Sequence, residues 1–202
     1  MSGRDSLFTS DGMNAQQMFE ALKQKFGDAV TGSKEQCGEH TIGVKLESVK
    51  QLLKYCHDEL NFDYLVDISS LDHFHAEPRF EMVYELYGYG HHQHLRVKSL
   101  VSEDVSVPTV TDIWPTANWH EREVYDMMGI TFDGHPDMRR ILMWEGYPFH
   151  PLRKDFPLAG KESELPEVAF TGIAPLEGGP FVTSPGACGT VDAEPRAKRF
   201  ET

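Results

Sequence analysis

Arg79-Phe80-Glu81-Met82-Val83-Tyr84-Glu85-Leu86-Tyr87-Gly88-Tyr89-Gly90-His91-His92-Gln93-His94-Leu95-Arg96-Val97-Lys98-Ser99-Leu100-Val101 is the stretch whose reading decides the fold. Phe80, Met82, Tyr84 and Leu86 recur with a period of two, which lays four large side chains on one face of a strand. Leu95, Val97 and Val101 repeat the pattern after Gly88-Tyr89-Gly90-His91, a segment suited to a turn. If the two runs close as a hairpin with Leu86 opposite Leu95, Glu85 faces Arg96 on the outer, wet side. One apolar face and one charged face predict an antiparallel sheet covered on one side only.

Working outward, Tyr64-Leu65-Val66-Asp67-Ile68 reads as a third strand. The cover comes from two amphipathic helices upstream. Met18, Phe19, Leu22 and Phe26 fall at helical spacing from Ala15 onward, with Gly27 as a stop. After a short extended piece around Thr41 to Leu46, Ser48-Val49-Lys50-Gln51 has the pattern of a capping box, and Val49, Leu52, Leu53, Cys56 and Leu60 make a second apolar stripe. A third helix is predicted from about Ala117 to Met128, ended by Gly129. The expected class is therefore α+β: a two-layer sandwich of a mainly antiparallel sheet with helices on one face, over residues 1–158. Residues 159–202 are expected to form an extended arm, since the 45 residues from Leu158 to Thr202 hold five Pro and six Gly and no stripe of either period.

The 202 residues carry 32 Asp and Glu against 19 Lys and Arg, a net charge of -13, which makes nucleic acid or an anionic membrane surface a poor partner. No run approaches the roughly 18 to 20 apolar residues that span a bilayer, and Met1-Ser2-Gly3-Arg4-Asp5 lacks the apolar core of a secretory signal. A cytoplasmic setting is expected. Cys37, Cys56 and Cys188 are odd in number and contain no Cys-x-x-Cys pair, which argues against a disulfide framework or an iron-sulfur cluster held by this chain alone.

Residues 119–157 carry most of the polar chemistry. On a helical wheel Val124, Tyr125, Met127 and Met128 share an arc, Arg122, Glu123 and Asp126 lie opposite, and Glu121 falls inside the apolar arc. A buried carboxylate needs a partner, and Arg139, Arg140 and Arg153 are the nearest candidates; otherwise Glu121 reaches water at the helix edge. Arg122 and Asp126, four apart, read as a solvated outer pair. Gly134, Pro136, Gly146, Pro148, Pro151 and Pro157 break residues 134–157 into turns that display Arg139, Arg140, Arg153 and Lys154. Those cations serve either an acidic partner's surface or internal ion pairs.

Three strings in order, Glu121-Arg122-Glu123-Val124-Tyr125-Asp126-Met127-Met128-Gly129-Ile130, Gly134-His135-Pro136-Asp137-Met138-Arg139-Arg140-Ile141-Leu142 and His150-Pro151-Leu152-Arg153-Lys154-Asp155-Phe156-Pro157-Leu158, strongly resemble the signature of the C subunit of NADH-quinone oxidoreductase, respiratory complex I, known as the 30 kDa subunit family. The likeness is strong over about residues 115–160. Tyr147-Pro148-Phe149 stands between Gly146 and His150 where the family has a shorter step, so this loop looks lengthened. The resemblance implies a non-catalytic scaffold of the peripheral arm on the cytoplasmic side of the membrane, with no cofactor of its own. Flavin and iron-sulfur clusters are implied in partner subunits, and the implied neighbours are the D and B subunits with other peripheral-arm subunits. It also implies that Glu121, Arg122, Glu123, Tyr125, Asp126, Arg139, Arg140, Arg153, Lys154 and Asp155 hold the fold and the subunit interface, and that tail residues such as Phe170, Ile173, Phe181 and Phe200 anchor the arm on a partner.

Two rival readings stand beside it. A related membrane-bound hydrogenase, or another quinone-linked complex, uses an equivalent scaffold. A metal-dependent enzyme is the other: His120-Glu121-Arg122-Glu123-Val124 opens like the zinc-protease His-Glu-x-x-His motif, but Val124 occupies the second ligand position. Asp72, His73 and His75, or His91, His92 and His94, remain as possible imidazole or carboxylate donors. No Gly-x-Gly-x-x-Gly turn, Walker loop or Gly-x-Ser-x-Gly elbow is present.

Overall fold

The computed structural model describes residues 15–144 and 146–157; the predicted arm at 159–202 lies outside them. Helix α1 (Ala15–Phe26) passes through a 3-10 turn at Gly27–Ala29 into a hairpin of strands β1 (Val30–Gln36) and β2 (Glu39–Val44). Helix α2 (Leu46–Asp58) comes next, then β3 (Tyr64–Asp72), β4 (Phe80–Gly88) and β5 (Gln93–Val101). A two-residue strand β6 (Val107–Pro108), helix α3 (Ala117–Met128) and a two-residue strand β7 (Phe132–Asp133) complete the described elements.

The five long strands form one sheet in the order β1-β2-β5-β4-β3, antiparallel throughout except for the parallel contact of β2 with β5. The class is α+β, as the alternation in the central hairpin predicts. Its register is also the predicted one, with Leu86 opposite Leu95 and Glu85 opposite Arg96, and the last two form an ion pair. Phe80, Met82, Tyr84, Leu86, Leu95, Val97 and Val101 are all buried and join a single core with Met18 and Leu22 of α1, Val49, Leu52, Leu53 and Cys56 of α2, and Val124, Met127 and Met128 of α3. The other face of the hairpin is held by charge, with Glu81 bonded to His73 (2.9 Å) and Lys98 (3.1 Å).

Three local expectations are corrected. The N-terminal edge holds two strands where one extended piece was expected; β1, Val-Thr-Gly-Ser-Lys-Glu-Gln, is exposed along almost its whole length and so has no alternation to detect. Helix α2 begins at Leu46 with Lys45 as its cap residue, and no side chain caps it. Ser48 therefore sits inside the first turn, with its amide donating to the Lys45 carbonyl (3.0 Å), and the capping box is not formed. The third strand runs four residues further than its apolar core, to Asp72, and its pairing slips by one residue between Leu65 and Asp67.

Candidate functional site around helix α3

Helix α3 ends where predicted, at Gly129, whose φ of 77° lies in the left-handed region. A Cβ there would stand 2.5 Å from the Arg153 guanidinium and 2.7 Å from the His150 ring. Glycine thus serves two purposes, the turn and the close approach of the loop at 150–153. That loop satisfies carbonyls that a helix C-terminus leaves open: His150 Nδ1 meets the Asp126 carbonyl (3.0 Å), the Leu152 amide donates to Met127 (3.1 Å) and Arg153 Nε donates to Met128 (2.6 Å).

Asp126 is fully buried. One carboxylate oxygen accepts the amides of Ile141 (3.0 Å), Leu142 (2.7 Å) and Met143 (2.8 Å), and the other accepts Arg140 Nη1 (2.6 Å). Burial alone would raise its pKa, but the amide of Met143, the guanidinium of Arg140 and the other two amides outweigh it, and the net direction is down. The predicted solvated pair of Arg122 with Asp126 is therefore corrected. Arg122 instead donates to the carbonyls of Arg139 and Arg140 (both 3.0 Å) and lies over the Trp119 ring. The helical wheel failed here because the signature loops cover the side of α3 that faces away from the sheet.

The rest of the signature closes on the far end of β3. Asp72 receives Arg79 through two parallel hydrogen bonds (2.9 Å each), plus the amides of Phe74 (3.0 Å) and Lys154 (2.8 Å). The hydrogen bond from Arg79, aided by both amides, holds the Asp72 carboxyl well below the usual carboxylate range. Arg79 also reaches Asp155 (2.8 Å) and Glu103 (3.2 Å), and Arg153 reaches Glu103 (2.9 Å). Asp72, Arg79 and Glu103 were not foreseen as partners, because no local spacing links residues so far apart. Asp72 and His73, two of the possible metal donors, are engaged with Arg79 and Glu81; His91 bonds the Leu60 carbonyl (3.0 Å) and His92 the Tyr87 hydroxyl (3.1 Å).

Glu121 is buried, as its place on the apolar arc predicts, but the expected arginine is not its partner. Its two oxygens meet the Thr109 hydroxyl (2.6 Å) and the Val110 amide (2.8 Å), while the His135 ring stands 3.9 Å away. Arg140 and Arg153 are spent on Asp126 and Glu103, and Arg139, 69% exposed, pairs with Asp137 (2.6 Å). Burial pushes the Glu121 carboxyl up to about 7, against the smaller opposing effects of its two hydrogen bonds. Of the remaining signature residues, Glu123 is exposed, the Lys154 side chain is exposed while its amide binds Asp72, and Tyr125 is half-buried beside Arg140 and His150. The loop at 147–149 is tucked in at its first residue: Tyr147 is buried and packs on Trp144 and Phe149, with ring centres 4.5 and 5.6 Å apart.

This fold is shared with a chain from the membrane-bound sulfane sulfur reductase, an archaeal respiratory membrane complex, at a TM-score of 0.62 and 25% identity over 70% of this chain and 85% of that one. Fold and site thus define a domain of the kind found in respiratory membrane complexes. Residues 42–162, from β2 through the last signature loop, match the family described as respiratory-chain NADH dehydrogenase, 30 Kd subunit, and the chain belongs to that family. Among its relatives, the second C subunit of NADH-quinone oxidoreductase from Rhizobium meliloti (strain 1021) is 43% identical over 78% of this chain and 87% of its own length. The NADH-quinone oxidoreductase C subunit of Geotalea uraniireducens (strain Rf4) is 42% identical over 71% of this chain and 88% of its own. Among the described residues no helix is long and apolar enough to cross a membrane.

Proposed function

We propose that the chain is a scaffold subunit of the peripheral arm of NADH-quinone oxidoreductase: it carries no flavin or iron-sulfur cluster, takes no part in bond chemistry, and docks against the D subunit, with the B subunit next to it, on the cytoplasmic side of the membrane. The observation that carries this reading is how the signature spends its polar groups. Asp126, Arg122, Arg140 and Arg153 use their hydrogen bonds largely on this chain's own loops and helix end, and the Lys154 amide closes on Asp72. Beside the exposed Arg139 and Lys154, the site also turns large apolar side chains outward, with Trp119, Leu142 and Leu152 each more than 60% exposed. Leu142 and Leu152 are anchored by their amides at Asp126 and Met127, and Trp119 lies seven residues before Asp126, roughly 10 Å along the same face of the helix. Large apolar side chains exposed on a rigid frame have the chemistry of an interface.

The test is a tagged chain recovered from membranes in mild detergent, wild type beside the triple variant Trp119→Ser, Leu142→Ser, Leu152→Ser. Wild type should bring down the D and B subunits together with NADH-dependent quinone reduction. The triple variant should keep its thermal midpoint but lose at least about tenfold of the recovered activity, the scale expected from removing several interface anchors. Undiminished recovery of partners would remove this surface from the interface. The likeness to the sulfane sulfur reductase chain favours a second reading, the same scaffold in a related respiratory membrane complex. Recovery with hydrogenase-type subunits and no response to NADH would select it.

A further inference from the structure

We propose that Glu121 holds a proton inside the domain in mildly acidic solution, and that releasing this proton toward neutrality loosens the contact between α3 and the segment Val107–Val110, making Glu121 a pH-sensitive latch. The carboxyl has zero exposure and, among the described residues, two donors within hydrogen-bond reach, a hydroxyl and an amide. The neighbouring His135 ring, 3.9 Å away, makes no hydrogen bond to it. His135 Nδ1 accepts the Asp137 amide (3.0 Å), and its Nε2 faces the Asn118 carbonyl (3.3 Å).

The surroundings satisfy the acid better than its anion. With the proton on Glu121, its O–H donates to Thr109 Oγ1, the Thr109 hydroxyl turns to Thr111 Oγ1 (3.0 Å), and the Val110 amide still donates to the second oxygen. The polar side-chain atoms of Glu121 and Thr109 are then all paired. With the proton gone, a full charge sits in the core on two neutral donors. The other groups around it do not reverse this balance. Lys50 of α2 favours the anion, but it is ion-paired with Asp112 (2.9 Å), which opposes it. From β4, Tyr84 brings a buried hydroxyl with no hydrogen-bond partner among the described residues, and from β3 Asp67 is taken by His120 (3.2 Å).

The contact at stake is structural. The Val110 carbonyl accepts the amides of Ile113 and Trp114 (3.0 Å each), so the turn leading into α3 hangs from the residue that Glu121 grips. In an unfolded chain the carboxyl titrates at 4.5, and in the fold at about 7. Between those values the folded state binds more protons than the unfolded one, so stability falls as pH rises through this window and levels off above it.

Urea unfolding of the full chain from pH 5 to 8.5, wild type against Glu121→Gln, reads the latch directly. The amide of Gln can donate to Thr109 and accept from Val110 as the protonated acid does, so the two proteins should match at pH 5. By pH 8 the folding constant of wild type should have dropped relative to the variant by about a hundredfold, the size set by a carboxyl displaced by more than two pH units. Parallel curves would overturn the proposal. Should the variant fail to fold, infrared spectra of wild type decide: the carbonyl stretch of a buried protonated carboxyl should be present at pH 6 and vanish by pH 8.5, and its absence at pH 6 would equally sink the idea.

Discussion

Helix α3 buries two carboxylates five residues apart, on sides of the helix about 140° from one another, and treats them in opposite ways. Asp126 faces the wrapped loops and receives three backbone amides and a guanidinium; Glu121 faces the core and receives one amide and one hydroxyl. The first is kept as an anion and its pKa falls, while the second favours the acid and its pKa rises. Both side chains are shut off from solvent, so it is the number and charge of the donors that decides ionisation. Their effects on stability therefore have opposite slopes. The contribution of Asp126 is present above the ordinary aspartate range near 3.8 and is lost as acid protonates it, whereas that of Glu121 is present in acid and lost toward neutrality. The domain should be most stable between these limbs, in mildly acidic solution.

The comparison can be broken most forcefully at Asp126. Replacing it by Ala strands Arg140 and three amides in a buried site, and should cost about 3–5 kcal/mol in urea unfolding while hydrogen exchange of the 141–143 amides speeds up. A cost under about 1 kcal/mol would mean that the loops are held by their apolar contacts instead. A smaller effect sharpens the picture. Gly129→Ala leaves Asp126 in place but forces a left-handed alanine against Arg153 and His150, which should cost about 2 kcal/mol and free the loop at 150–153 while 141–143 stays protected. Smallest of all is Arg139→Ala. Its partner Asp137 is on the surface, and the unfolding midpoint should be indistinguishable from wild type even though Arg139 lies beside Arg140 in the signature.

What could be read in the sequence depends on which forces act locally. The β4–β5 register was legible because alternation and a glycine turn specify it within 23 residues. β1 was not, since an exposed edge strand has no face to pattern. At the site, periodicity located the burial of Glu121 but not its partner, because Thr109 is a neutral residue twelve positions earlier and a search for charge passes over it. Asp126 was placed on the right side of the helix but read as solvated, for a different reason: a wheel assumes that water lies opposite the sheet, whereas residues 139–143 and 150–153 form a second cover. The resemblance singled out Asp155 and Lys154 but not Asp72 and Arg79, whose contact with them spans more than 70 residues.

That last contact has a consequence for how the protein is made. The amide of Lys154 closes on a carboxylate 82 residues upstream. At roughly 5 to 20 residues per second of synthesis, Asp72 waits on the order of ten seconds for its final donor to leave the ribosome. The carbonyls at the end of α3 wait for His150 to Arg153 in the same way. A nascent chain halted before residue 150 has the sheet and helix α3 but neither clasp, so the domain locks only after residues 150–154 have been made.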